Sequence, residues 1–322
     1  MTYAEAPAAA LEQIDARPPQ SFRLLRRLLR RPVAVVALVV ILTVYLAGIF
    51  APVVAPYGFT KTDFGSRLEG PTWDHPLGTD RLGRDLLSRA IWSAQTTVII
   101  SVAAVASGTL ALGVTLGLLA GYSGGRVDAF IMRVGDAFYS VPTILLLLII
   151  NATLQDKVVS IFRDVEDTTG FEGLVSSGAP SYFLVFSALA VFGWVGMARI
   201  VRSQVLALRE TNYVLAAKAA GATTPRILFH HVLPNLTNLL VVAITLSLGA
   251  AAALEVALTW LGIGVQPPHP SFGVMIFDGS GLTTMRAHPI LIFVPSVIVG
   301  ALMLSFNLLG DQLTDVLSPR RR

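Results

Sequence analysis

Residues Tyr213 to Asn235 read YVLAAKAAGATTPRILFHHVLPN. The run is Ala-rich and helix-prone, breaks at Gly221, restarts near Thr224 and Pro225, and closes at Pro234. Long apolar segments lie on both sides of it. A piece so patterned for folding outside a bilayer, held between segments suited to lipid, fixes the question of what kind of chain this is.

Composition answers the first part. The 322 residues are 54% hydrophobic and 14% charged, with a mean hydropathy of +0.68, whereas soluble domains carry roughly 25% charged residues. An all-α, polytopic membrane protein is expected. The absence of cysteine removes disulfide frameworks, thiolate nucleophiles and Cys-ligated metals. A helix crossing the hydrocarbon needs about 20 residues without a bare ionic group. Charge-free windows run 32–60, 90–125, 137–155, 173–198, 227–254 and 287–310. A seventh, 256–277, contains GIGVQPPHPSFG, whose Gly and Pro density would leave backbone groups unpaired in lipid, and it reads as a loop. Six transmembrane helices are therefore expected, near 33–55, 97–121, 131–153, 181–200, 235–255 and 289–310. A basic segment, 1–31, precedes a membrane-embedded body, 32–322, in which a loop at 201–234 separates the fourth and fifth helices.

Orientation follows from the Lys and Arg positions. With a cytoplasmic N-terminus, that side holds Arg17, Arg23, Arg26, Arg27, Arg30 and Arg31, then Arg126 and Arg133, then Arg199, Arg202, Arg209, Lys218 and Arg226, and finally Arg320, Arg321 and Arg322. These are two thirds of all 24 basic residues, and the bias favours both termini in the cytoplasm. The pI near 9.6 raises nucleic acid as a partner, but SFRLLRRLLRR beside a span reads more simply as an interfacial helix on anionic lipid. The apolar run after Arg31 is too long for a signal h-region and is expected to remain as a span.

On the outer side, HPLGTDRLGRDLLSRAI (His75 to Ile91) places Leu82, Leu86, Ala90 and Ile91 at helical spacing, with Asp80/Arg84 and Asp85/Arg89 four apart. An amphipathic surface helix with weak, solvated ion pairs is expected there. The loop 154–180 is acidic and expected to be merely soluble. Catalytic patterns are thin. GxxxxGK[ST], HExxH, CxxC and GxSxG are all absent. His230 and His231 point about 100° apart on a helix, which does not suit a shared ligand, and at the start of a span they read as interfacial anchors. Arg133 and Asp136 could pair with each other, and Glu255 stands near the outer end of the fifth span. So few ionisable residues at mid-depth argue against a proton-driven carrier; a self-contained channel or carrier remains the competing class, and a membrane enzyme lacks any recognisable nucleophile, base or metal set.

Within the opening stretch, Ala216, Ala217, Ala219 and Ala220 leave little side-chain bulk, so another surface can approach closely. Gly221 suits a left-handed position ending a helix. Thr224 reads as the cap and Pro225 as the first residue of a second short helix. The outcome is a rigid helix, turn, helix knob.

These residues resemble the EAA loop of ABC importer permeases, of the form E-A-A-x-x-x-G-x9-I-x-L-P. Ala216, Ala217, Gly221, Leu233 and Pro234 match; Leu215 stands where the Glu is expected and His231 where the Ile is. HPLGTDRLGRDLLSR, GLLAGYSGGRVD, TWLGIGVQPPHPSFG and FNLLGDQLTDVLSPR also resemble, in order, the C-type permease subunit of dipeptide, oligopeptide and nickel importers, and the resemblance covers roughly residues 20–322. The resemblance implies a bacterial inner-membrane subunit that pairs with a second permease, two ATPase subunits that bind ATP and Mg, and an extracytoplasmic binding protein, with no cofactor in this chain. It also implies that Leu215, Ala216, Ala217, Lys218, Gly221, Thr224, Pro225, Leu233 and Pro234 couple to the ATPase. Glu255, Gln266, Pro267 and Pro268 are expected at the outer mouth, as gate or binding-protein contact.

Overall fold

The structure, a computed structural model, describes residues 26–317. Arg17, Arg23, Arg320, Arg321 and Arg322, which enter the charge asymmetry, lie outside the described residues, as does most of the basic segment 1–31. Six helices are long and apolar enough to cross a membrane, and no strand occurs among the described residues. In chain order the elements are α1 Pro32–Ile49, α2 Leu86–Ser123, α3 Gly125–Tyr139, α4 Thr143–Thr169 and α5 Ala179–Leu208. After these come α6 Asn212–Ala219, α7 Thr224–Trp260, α8 Phe272–Gly279, α9 Leu282–Ala287 and α10 Ile290–Leu317.

Arg31 Nη1 donates to Gln312 Oε1 and to Asp315 Oδ2, each at 2.9 Å, so the start of α1 and the end of α10 meet at one end of the bundle. Alternation of the six spans brings α6 and the start of α7 to this terminal end. The starts of α2, α5 and α10 lie at the far end.

Helix α5 is the axis of the bundle. Its most apolar window is 61% buried against 11% for α4, so α5 is enclosed by this chain and α4 is left to be covered by something else. The α2–α5 seam is closed by glycines. A Cβ on Gly113 would fall 2.7 Å from Met197 Cβ, one on Gly117 2.8 Å from the Ala198 carbonyl oxygen, and one on Gly121 2.9 Å from that of Arg202. Gly108 meets the Ala190 backbone in the same way. The spacing from Gly108 to Gly113 is five, which would turn an α-helix away from its partner. The π-helical winding of Val105–Val114 absorbs the extra residue and keeps all four glycines on one face.

Several elements depart from the expected bounds. α2 starts at Leu86 because Asp85, its cap, accepts the Ser88 N–H at 2.7 Å, and charge enters the helix as buried Arg89. Residues 75–85 are therefore a turn-rich loop rather than the first half of a surface helix, with Gly78 and Gly83 at φ +82° and +74°. The third span starts at Thr143, after Pro142 breaks the chain, and residues 125–139 form the separate amphipathic α3. α3 is held against α5: Arg202 grips Asp128 with Nε and Nη2, and Arg199 Nη2 donates to Asp136 Oδ1 at 2.6 Å. Asp136 thus pairs across helices and not with Arg133. Most of the expected loop 154–180 is helix, since nothing breaks α4 before Gly170, where φ is +69°. The expected loop 256–277 is split: α7 continues to Trp260, and α8 begins at Phe272.

Candidate functional site

The knob at the terminal end is built from α6 and the entry to α7. Gly221 has φ +79°. Its N–H reaches the Lys218 carbonyl at 3.0 Å and the Ala222 N–H reaches that of Ala217 at 3.0 Å, a Schellman closure that satisfies the carbonyls left over at the end of α6. The restart falls one residue earlier than expected. Thr223 is the extended cap residue, and Thr224 and Pro225 are the first two helical positions, where the missing proline N–H costs nothing. The second helix does not stop at Pro234 but runs through it as α7. Pro234 cannot donate to the His230 carbonyl and its ring crowds that oxygen. The chain answers with a π-helical stretch, Ile227–Val232, just before it.

One face of the knob is fixed and the other is free. Val214, Ile227, Leu228 and Val232 are buried against Val114, Leu118, Val201 and Val205 of α2 and α5, with Ala217, Ala222 and Leu233 half-buried alongside. Leu215 is 49% exposed, and Ala216, Lys218, Gly221, Thr224, Pro225 and Pro234 are exposed with it. Of the residues expected to couple, Ala217 and Leu233 therefore anchor the knob, and the rest form its outward surface.

At the far end, Asp80 organises the loop before α2. Its Oδ1 accepts the N–H groups of Leu82 and Arg84 at 2.8 and 2.9 Å, and its Oδ2 accepts Arg84 Nε at 2.6 Å and Arg89 Nη1 at 2.7 Å. Arg89 Nη2 reaches Asp278 Oδ2 on α8 at 3.0 Å. The expected Asp85/Arg89 pair does not form. Asp85 serves as the cap and meets His75 Nδ1 at 3.1 Å. Where weak, solvated ion pairs were expected, Asp80 and Arg89 are 3% and 2% exposed.

A buried polar seam continues along α2 toward the membrane. Ser93 Oγ donates to Met275 Sδ at 3.4 Å, Thr96 Oγ1 to the Pro270 carbonyl at 2.7 Å, and Thr97 Oγ1 to Glu255 Oε2 at 2.9 Å. Glu255 is fully buried and also accepts from Thr259 Oγ1 at 3.3 Å, while Thr259 Oγ1 accepts the Val265 N–H at 3.2 Å. Its carboxyl is enclosed within the chain, where it ties α2 to α7 and to the turn beyond. Gln266 is half-buried, and Pro267 and Pro268 are exposed on that turn. His269 packs beside Phe59 and Tyr182, with ring centroids 5.7 and 5.9 Å away. Burial holds its pKa below the ordinary imidazole value, partly offset by a hydrogen bond with the Ser176 backbone. Sequence reasoning missed this seam. Its signal was present, as hydroxyls at Ser93, Thr97 and Ser101 recur every four residues in an otherwise apolar span.

Comparison with known proteins agrees with this architecture. The family described as binding-protein-dependent transport system inner membrane component matches residues 113–322, and the N-terminal TM domain of oligopeptide transport permease C matches residues 21–71. The chain is 35% identical to the oligopeptide transport system permease protein OppC of Bacillus subtilis over 85% of its own length and 81% of the relative. It is likewise 35% identical to the dipeptide transport system permease protein DppC of Bacillus subtilis, over 85% and 78%. Identity is 34% to the glutathione transport system permease protein GsiD of Pectobacterium atrosepticum, over 80% and 77%.

Proposed function

The chain belongs to the binding-protein-dependent transport system inner membrane components, and from that premise we propose that it moves small peptides as one permease of an ATP-driven importer. It is a multi-pass protein of the bacterial inner membrane and a permease component of an ABC transport system rather than a catalytic subunit. Peptide cargo is supported by the names of its relatives, which carry oligopeptides, dipeptides and glutathione, all of them chains of amide-linked residues.

The knob is the observation that carries the mechanism. A coupling element must be rigid, because a loose one dissipates the stroke before it reaches the spans. Here the helix pair is capped at Gly221 and packed through Val214, Ile227, Leu228 and Val232 onto α2 and α5. In this reading the terminal end faces the cytoplasm, in keeping with its basic residues. Two separate ATPase subunits bind ATP and Mg and seat Leu215, Ala216, Lys218, Gly221, Thr224 and Pro225. A second, similar permease completes the path. A binding protein delivers cargo at the far end, where Gln266, Pro267 and Pro268 offer a contact.

The test is ATP-dependent uptake of trialanine by proteoliposomes holding permeases, ATPases and binding protein together. A β-branched residue at φ +79° is strained by about 1–3 kcal/mol, so Gly221→Val should cut uptake severalfold while the subunits still co-purify. Full uptake in that variant would take the knob out of the mechanism. Uptake by this chain alone, driven by an ion gradient, would replace the importer with a self-contained carrier.

A further inference from the structure

Several hydroxyls inside the spans are satisfied by their own helix. Ser107 Oγ donates to the Ala103 carbonyl at 2.6 Å, Ser203 to Ile200 at 2.8 Å, Thr245 to Val241 at 2.8 Å and Thr314 to Gly310 at 2.9 Å. Thr109, Thr143 and Ser247, and Tyr139 at the end of α3, are among the hydroxyls that make no hydrogen bond among the described residues. All four line one cavity of about 230 Å³ between α2, the end of α3, α4, α5 and α7. Thr109 is only 5% exposed, yet its hydroxyl is not sealed off: it opens on the cavity and is free for water or a ligand. It sits in the π-helical stretch Val105–Val114, a distortion often found at functional sites.

The glycines point the same way, Gly193 lining the cavity and Gly196 lying beside Tyr139. Those of α2 are required by close packing, but Gly193 and Gly196 of α5 are not. A Cβ on Gly193 would lie 3.5 Å from Thr109 Oγ1, and one on Gly196 would lie 3.4 Å from the Tyr139 hydroxyl. Packing has room for a methyl at both, and anything larger would stand in front of the hydroxyls. No Asp, Glu, Lys or Arg lines the cavity; Leu189, Phe192 and Leu254 complete it.

We propose that this cavity is a peptide-binding station on the translocation path, where Thr109, Tyr139, Thr143 and Ser247 exchange hydrogen bonds with the amide backbone of the cargo. The inference rests on the peptide-importer reading above. Hydroxyls can both donate to a carbonyl and accept from an N–H, which suits a backbone passing in either register. An uncharged lining gives cargo side chains neither a partner nor a repulsion, so passage here is indifferent to their charge.

The chain has no cysteine, which makes single thiols readable. Within the complete complex in proteoliposomes, Thr109→Cys and Ser247→Cys should react with a water-soluble methanethiosulfonate during ATP turnover about tenfold faster than Val201→Cys in the packed core. Trialanine is the transport probe. Loss of one hydroxyl in Thr109→Val should raise its KM about three- to tenfold, Thr109→Ser should restore it, and Gly193→Leu should cut uptake. The losses should be equal for Ala-Lys-Ala and Ala-Glu-Ala. Thiols that stay unreactive in every nucleotide state, or unaltered trialanine uptake in Thr109→Val and Gly193→Leu, would overturn the proposal. Reactive thiols in a complex whose unsubstituted form imports no peptide would instead remove the peptide assignment and leave the water-filled path standing.

Discussion

Arg89 is the residue on which the far end depends. Its guanidinium spans two carboxylates that come from different parts of the chain, Asp80 at 2.7 Å and Asp278 at 3.0 Å. Removing one member of a buried charge pair costs about 3–5 kcal/mol because the other is left uncompensated. Arg89→Gln should therefore lower the unfolding midpoint in detergent by several degrees. Asp278→Asn should cost about 1 kcal/mol or less, since that side chain is 37% exposed. Half of this cluster was legible: the i,i+4 spacing of Asp80 and Arg84 does mark a pair, although on a turn and not on a helix. Asp278 was illegible, because only the return of α8 onto α2 brings it near. His269 gives a pH dependence of definite sign. Its folded pKa lies below the ordinary value of 6.5, so below that value the unfolded chain binds more protons and stability falls with pH. His269→Gln should flatten the decline of the unfolding midpoint between about pH 7.5 and 5.5.

At the scale of elements, the spans were readable and their ends were not. Lipid forbids unpaired charge, so charge-free windows located six helices. A helix ends, however, where a cap or breaker ends it. Asp85 starts α2 ahead of its window, Pro142 delays α4, and Gly170 lets α4 run past its own. The knob was readable because Gly221 and Pro225 punctuate it. The π-helical stretch was not, since it reflects a compromise between Pro234 and the burial of Ile227, Leu228 and Val232. Pro234→Ala returns the missing N–H, worth about 3 kcal/mol or more to an ordinary helix interior. The expected result is a knob rotated on its seat: amide exchange in residues 227–236 slows, ATP hydrolysis by the complex persists, and trialanine uptake per ATP falls.

Over the whole molecule, burial and charge divide the labour. α5 is enclosed, α4 is almost bare, and 11 of the 19 described basic residues lie at the end that carries the knob. If that end is cytoplasmic, green fluorescent protein fused after the final residue should fluoresce, and alkaline phosphatase inserted at Gly173 should be active. The opposite pair of results would invert the topology and move the knob away from any ATPase. The candidate cavity was the least legible feature of all. Thr109, Gly193 and Ser247 come from three separate helices, and nothing in a linear reading marks an ordinary threonine as one whose hydroxyl will lack a partner. Leu215 has a consequence for cells that run several importers at once. A motor whose socket is shaped for a carboxylate would meet a bare isobutyl group there and lose its ion pair. The same leucine favours a motor with a greasy socket. If the knob seats an ATPase as proposed, this one exposed side chain would sort cognate from foreign ATPases, and Leu215→Glu should raise ATP-driven uptake with ATPases whose socket takes a carboxylate.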